Sequence, residues 1–325
     1  MKAIVFTRYG PPDVLRLEEV PKPTPEDDQL LIRVHASSIN SWDWELLNGK
    51  PFLNRLMYGL LKPKPGKQIL GSDVAGTVEA VGRLVRRFRP GDEVFGDLWD
   101  HWGAFAEYVC AHETALEPKP AKSTFQEAAA VPQAGVLALQ ALRKAEQMQS
   151  GQKVLINGAG GGVGTFAIQL AKLSGADVTG VDASEKLSVV RSVGGDHVID
   201  YAQEDFTATG DRYDLVIDCQ NFRSMFEHKR ALSPEGVYAM VGGSLPRACQ
   251  LWLLSFCASL TGDRRRLRLV AEGPNKGLAE LKELLESGKL VPVIDRTYDL
   301  TEVPAALRYF GEGHHKGKIA ITVER

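Results

Sequence analysis

Four cysteines in 325 residues, at 110, 219, 249 and 257, are too few and too scattered for a disulfide framework. None stands in the C-x-x-C spacing of a structural zinc knuckle. Long hydrophobic runs are missing as well. The most apolar segment, 251–260, is about half the length that a helix needs to cross a bilayer. The opening Met1-Lys2-Ala3-Ile4-Val5-Phe6 reads as a strand and lacks the apolar core of a signal peptide. No charge of one sign prevails: 39 Lys and Arg stand against 41 Asp and Glu, so nothing predicts affinity for nucleic acid or membrane. The one dense basic cluster, Arg264-Arg265-Arg266, reads as a solvated helix end or loop. These absences point to a cytoplasmic globular protein, and the length suits two domains.

What is present divides the chain. Its first third holds short β-rich runs at 29–36, 71–81, 92–95 and 104–109, punctuated by Gly and Pro, as in a compact, mostly β domain. The stretch 48–69 reads as a loop or short helix beside a cleft. After Pro118 helices are expected at 124–130 and 136–148. Strand and helix then alternate: strands at 153–157, 177–182, 197–200, 213–219 and 237–241, helices at 163–173, 185–193 and 222–232. Alternation of this kind builds a doubly wound parallel sheet, an α/β fold. It stops near 267–270. A helix at 278–287, a strand-like run at 289–298, a helix at 303–310 and a strand at 318–323 return to the first domain. The expected domains are 1–122, 123–268 and, rejoining the first, 269–325.

The stretch from Val154 to Lys172 is the most informative. An apolar strand runs into Gly158-Ala159-Gly160-Gly161-Gly162-Val163-Gly164 and then into a helix. Side chains there would block a pyrophosphate from backbone N–H groups, and a helix N-terminus favours its charge. The strand before and the helix after are the context this glycine pattern needs to indicate a dinucleotide. Asp182, at the end of the next strand, is placed to bond the ribose hydroxyls of NAD(H) and to repel a 2′-phosphate. Ser184, Lys186 and Tyr201 are placed to hold such a phosphate. Spacing alone leaves both open.

Beyond the loop, Gly71-Ser72-Asp73-Val74-Ala75-Gly76-Thr77-Val78, Gly91-Asp92-Glu93-Val94-Phe95-Gly96, Gly103-Ala104-Phe105-Ala106-Glu107-Tyr108-Val109 and the ending Lys316-Gly317-Lys318-Ile319 carry a family likeness. With them the chain resembles the medium-chain dehydrogenase/reductase superfamily, in its zinc-independent quinone oxidoreductase-like branch. The resemblance implies a GroES-like catalytic domain with a Rossmann domain, hydride transfer from NAD(P)H, and a homodimer or homotetramer. In zinc-dependent members a Cys, a His-Glu pair and a second Cys hold the metal; the matching places here carry Asn40, Ser72-Asp73 and Gln133. No zinc is therefore expected.

Without a Lewis acid an already electrophilic acceptor is favoured, which points to a quinone, enone or enal. By the resemblance Asn40 lies beside the nicotinamide and bonds a substrate carbonyl. Asp43 is placed either as a cap of a helix from Trp44 or in proton transfer. Val241 and Gly242 approach the nicotinamide through their backbone. The spacing of Lys186 and Tyr201 matches NADPH-binding relatives and favours NADP(H), while Asp182 keeps NAD(H) open. A metal-free alcohol/ketone oxidoreductase and a low-turnover dinucleotide-binding protein are the competing readings. His314-His315, without a ligand partner at suitable spacing, reads as a turn, and Cys219 as a small buried hydrophobe.

Overall fold

The computed structural model describes residues 1–323 apart from 100, 147, 244 and 272. An antiparallel hairpin of β1 (Lys2–Val5) and β2 (Arg16–Glu19) opens the chain. Then come β3 (Gln29–Ser38), α1 (Ser41–Asn48), α2 (Phe52–Tyr58), β4 (Asp73–Val81), β5 (Glu93–Asp97), β6 (Tyr108–His112), β7 (Leu116–Pro118) and α3 (Phe125–Ala129). The alternating part follows with α4 (Pro132–Arg143), β8 (Lys153–Asn157), α5 (Gly162–Leu173), β9 (Asp177–Asp182), α6 (Leu187–Ser192) and β10 (His197–Asp200). It continues through β11 (Tyr213–Asp218), α7 (Met225–Ala231), β12 (Leu232–Val241), α8 (Leu245–Thr261) and β13 (Arg266–Val270). Last are α9 (Leu278–Glu286), β14 (Ile294–Asp299), α10 (Val303–Glu312) and β15 (Lys318–Thr322).

Two compact units result. One is Met1–Gln133 with Pro274–Gly288 and Ile294–Arg325; the other is Ala134–Gly273 with Lys289–Val293. The chain leaves the first unit at Gln133 rather than at residue 122, because α3 packs on β3 and β4.

In the first unit a seven-stranded sheet has the order β14-β15-β3-β4-β5-β7, with β6 also on β3. All its pairs are antiparallel except β14 with β15. Side chains such as Ile32, Val74, Val94, Phe105 and Ile321 fill its core, each fully or almost fully buried. In the second unit six parallel strands run β10-β9-β8-β11-β12-β13. The chain builds outward from β8 to β10 and then returns to β11 beside β8. That reversal between β8 and β11 is a topological switch point, and ligands bind outside the carboxyl ends of the strands there. Val154, Leu155 and Ile156 of β8 are wholly buried, as a central strand covered on both faces requires.

Several boundaries differ from the sequence reading for local reasons. The helix expected at 136–148 begins at Pro132, whose fixed φ suits the first turn, and ends at Arg143. The helix expected at 185–193 opens as a 3-10 turn, Ser184–Lys186, and only then becomes α6. The strand expected at 289–298 starts only at Ile294, where pairing with Lys318 begins. The expected strand at 104–109 lies later, at Tyr108–His112, with only an isolated bridge between Ala3 and Ala106 before it.

Gly164 shows how closely the second unit is packed. A Cβ there would lie 2.2 Å from the Gly158 carbonyl oxygen and 2.6 Å from Ala159 Cα, both backbone atoms. Gly164→Ala is therefore expected to destabilise the protein by about 1–3 kcal/mol through overpacking. An unchanged denaturant midpoint would show that the turn yields without cost.

Candidate functional site

Two clusters of functional side chains stand in the structure, one in each unit. In the second unit the turn after β8 divides its own backbone donors. The N–H groups of Gly158 and Ala159 donate to the Val181 carbonyl at 2.9 and 3.1 Å, and that of Gly161 to the Gly158 carbonyl at 3.2 Å. Gly158 has φ +86°, a left-handed conformation that glycine adopts without a Cβ penalty. The first intrahelical bond of α5 runs from Thr165 N–H to Gly161 O. This leaves the N–H groups of Gly162, Val163 and Gly164, at the first turn of a 12-residue helix, without a partner among the described residues. Open donors at a helix N-terminus are what a pyrophosphate requires. Gly158, Ala159, Gly160 and Gly161 thus shape the turn, and the donors come after it.

Asp182 is buried, and both its carboxylate oxygens face backbone. Oδ2 accepts from Gly160 N–H at 2.7 Å and Oδ1 from Ala183 N–H at 2.9 Å. Lys186 packs its stem beside Gly160, where a Cβ would meet Lys186 Cβ at 2.7 Å. Its ammonium has no hydrogen-bond or ion-pair partner among the described residues, although the residue is only 6% exposed. Ser184 and Tyr201 are exposed, and Tyr201 N–H donates to the Asp182 carbonyl at 3.3 Å. All four expected residues therefore gather at the carboxyl end of β9.

Across the switch point, Val241 ends β12 and Gly242 follows with φ +67° and an exposed backbone. A Cβ on Gly242 would meet nothing within 4 Å. Beside them Asn221 Nδ2 donates to the Val241 carbonyl at 3.0 Å, and Asn221 Oδ1 is buried with no partner among the described residues. The glycine cradle, the open helix donors and this orphaned acceptor all fit a bound dinucleotide.

In the first unit the sheet brings β3, β4 and β15 side by side, and their ends carry a buried polar set. Asp73, at the start of β4, is fully buried. Its Oδ2 accepts from Ser38 Oγ at 2.6 Å and Asn40 Nδ2 at 2.8 Å, and its Oδ1 from Gln133 N–H at 3.0 Å. Lys318, 3% exposed at the start of β15, donates to Asn40 Oδ1 at 2.5 Å and to the Ile39 carbonyl at 3.1 Å. The same ammonium lies 3.4 Å from Asp73 Oδ2. Ser72 Oγ receives Asn40 Nδ2 at 3.4 Å and Gln133 Nε2 at 3.3 Å.

Asp43 sits one layer away, wholly buried. Its Oδ2 accepts from Asn40 N–H at 2.8 Å and its Oδ1 from Gly71 N–H at 2.9 Å. The helix it braces is α1, which begins at Ser41 with Asn40 as its N-cap residue, not at Trp44. Burial pushes the Asp43 carboxyl up to about 7, against the pull of those two N–H groups; the Asp73 charge adds to the rise and Lys318 opposes it. Burial and then the Asp73 charge also raise Asp97 to about 7, opposed by Trp99 N–H and the side chains of Gln133 and Ser72.

Lys318 joins this buried polar set, although the sequence carried it only within the family-like ending Lys316-Gly317-Lys318-Ile319. Its signal was a lone lysine in an otherwise uncharged run, Lys318-Ile319-Ala320-Ile321-Thr322, whose every residue is buried. Asn221 went unnoticed, for a short polar side chain after a strand is common. Among the described residues no three His, Cys, Asp or Glu side chains form a metal-holding group. His315 stacks on Phe310 with ring centroids 4.7 Å apart.

Comparison with known proteins agrees with this construction. The family described as "Alcohol dehydrogenase GroES-like domain" matches residues 26–121, and that described as "Zinc-binding dehydrogenase" matches residues 193–321. The chain is 34% identical over 336 residues to "Quinone-oxidoreductase QR1, chloroplastic" of Triphysaria versicolor, covering 99% of this chain and 98% of that one. It is 33% identical over 335 residues to "NADPH-dependent alkenal/one oxidoreductase, chloroplastic" of Arabidopsis thaliana, covering 99% and 79%. Its structure is similar to that of the quinone oxidoreductase from Coxiella burnetii, with a TM-score of 0.88, 33% identity and coverage of 100% and 99%. These relatives correct one expectation. Both plant proteins are named chloroplastic, so a cytoplasmic location does not stand; scattered cysteines and the lack of an apolar span do not distinguish one reducing compartment from another. With a GroES-like β domain, a Rossmann-like domain and full-length relatives, the chain belongs to the medium-chain dehydrogenase/reductase superfamily, in its quinone oxidoreductase-like branch.

Proposed function

We propose that this protein is an NADPH-dependent reductase of conjugated acceptors, a quinone, enone or enal, working without a metal ion at a site built around Asn40. The observation that carries this reading is the buried set of Asn40, Ser72, Asp73, Gln133 and Lys318. It offers hydrogen-bond donors and a cation to a substrate oxygen, and neither thiolate nor imidazole to a metal. Zinc does not fit there: the Lys318 ammonium already lies against the Asn40 amide oxygen and the Asp73 carboxylate, and a dication beside it would be repelled. The names of relatives, "Quinone-oxidoreductase" and "alkenal/one oxidoreductase", support the same substrate class.

When bound, NADPH would supply hydride to the β-carbon of an enone, so that negative charge would grow on the carbonyl oxygen. The protein's part is to bind that oxygen and hold its growing charge. Asn40 Nδ2 provides the donor, because Lys318 holds the amide oxygen on the other side. A proton from water at the α-carbon completes the reduction. Asp43 has both oxygens on backbone N–H groups, so it serves as the frame that holds Asn40 and Gly71 rather than as a proton donor.

NADP(H) is favoured over NAD(H) by the state of two side chains. Asp182 turns its carboxylate to the backbone of Gly160 and Ala183, and Lys186, in the turn that starts at Ser184, holds an ammonium without a partner among the described residues. A 2′-phosphate gives that cation its partner. The open N–H groups of Gly162 to Gly164 take the pyrophosphate.

Titration of the apo-protein with both cofactors is expected to give at least about tenfold tighter binding of NADPH, and Lys186→Ala to remove that margin. Preference for NADH would sink the NADP(H) reading. Turnover assays should show NADPH oxidation with a simple quinone or enone, none with a saturated ketone, and no loss on dialysis against a chelator. Asn40→Ala is expected to lower kcat about a hundredfold, as removal of an oxyanion donor does; ketone reduction with the conjugated C=C left intact would reverse the assignment. A further outcome concerns pH. Asp43 and Asp97 have carboxyls raised to about 7, so the folded state binds protons that the unfolded chain has lost. Their contribution to stability is full below about pH 4 and is lost as pH rises through 7. Denaturant midpoints measured from pH 4 to 8 should decline less steeply in Asp43→Asn than in the unmodified protein, and parallel curves would contradict this.

A further inference from the structure

A buried lysine needs a reason. The long side chain of Lys318 is 3% exposed, and the ammonium is strongly hydrated when free. Three buried carboxylates, Asp43, Asp73 and Asp97, surround the same end of the sheet, yet the Lys318 ammonium does not sit closest to any of them. Its shortest contact, 2.5 Å, is to the neutral amide oxygen of Asn40; Asp73 Oδ2 is at 3.4 Å. An ammonium can only donate, so the Asn40 oxygen must face it and the NH2 group must face the other way. Asn40 Nδ2 then donates one hydrogen to Asp73 Oδ2 at 2.8 Å, while its second meets only a long contact to Ser72 Oγ at 3.4 Å. That second hydrogen is the one an incoming oxygen accepts.

From this geometry we infer that Lys318 is a positioning residue and built-in cation of the reduction site, orienting and polarising the Asn40 amide for the oxygen that becomes negative. The inference rests on the function proposed above. A positive charge on the oxygen side of an amide draws electron density from its N–H groups and strengthens them as donors, as in any chain of hydrogen bonds at low dielectric. The same charge lies one residue from the place where negative charge grows, where a fixed, preorganised cation lowers the barrier. Asp73 balances the ammonium in the resting state, and Ser38 and the Gln133 N–H group share that carboxylate so that it does not draw Lys318 away from Asn40.

The test is NADPH oxidation by a series of ring-substituted benzoquinones, with NADP+ affinity measured alongside by fluorescence. Lys318→Met is expected to lower kcat about tenfold to a hundredfold and to leave NADP+ affinity unchanged. The loss should be greatest for electron-rich quinones, which need most help with charge, and Lys318→Arg should recover most of it. In an Asn40→Ala background Lys318→Met should cost little more, since the charge acts through that amide. Equal losses for every quinone, or full additivity with Asn40→Ala, would overturn the inference and leave Lys318 a structural residue. If Lys318→Met fails to fold because Asp73 is left unpaired, the double variant Lys318→Met/Asp73→Asn removes both charges and is read by the same dependence on the acceptor. An unmodified protein that oxidises NADPH with no quinone or enone fails the proposed function itself. One that turns over quinones while Lys318→Met matches it fails this inference alone.

Discussion

The pairing of Lys318 with Asn40 and Asp73 is the constraint on which the first unit is organised. A buried ammonium and a buried carboxylate are tolerable only together, and removing one partner of such a pair costs about 3–5 kcal/mol. Their meeting fixes how strands far apart in the chain must lie: β3 delivers Ser38 and leads into Asn40, β4 begins at Asp73, and β15 begins at Lys318. Antiparallel registers join Ser38 to Asp73 and Ser38 to Ala320, so the sheet itself brings the three groups to one end. Asn40 then starts α1, and Asp43 closes that start by accepting the Asn40 N–H.

The second unit solves a different problem with backbone instead of charge. The turn after β8 satisfies its own first donors internally and leaves the last ones, at the start of α5, without a partner among the described residues. Asp182 stabilises the turn by accepting from the N–H groups of Gly160 and Ala183. Beside it, the Lys186 ammonium has no hydrogen-bond or ion-pair partner among the described residues.

Much of this was legible in the sequence. Lys153–Asn157, Asp177–Asp182 and His197–Asp200 were readable to the residue, because apolar runs bounded by glycines and polar turns leave little choice of register. The glycine turn and the end of the next strand were readable for the same reason: local backbone geometry dictates both. Less legible were β14, which pairs with β15 only from Ile294 onward, and α6, where a 3-10 turn precedes the helix. The hairpin strand β2 carries four exposed side chains, so periodicity gave it no signal.

By itself the sequence determined the two-unit α/β architecture, the dinucleotide turn and the lack of thiolate or imidazole at positions 40, 72, 73 and 133, since each depends on residue type and local spacing. Tertiary structure decided the rest. It decided that Lys318, 278 residues from Asn40, holds that amide, that Asp182 faces the loop backbone, and that Asp43 frames a helix. The physical reason is that a titratable side chain's role follows from its partners and its exclusion from water, and strand pairing across the chain sets both.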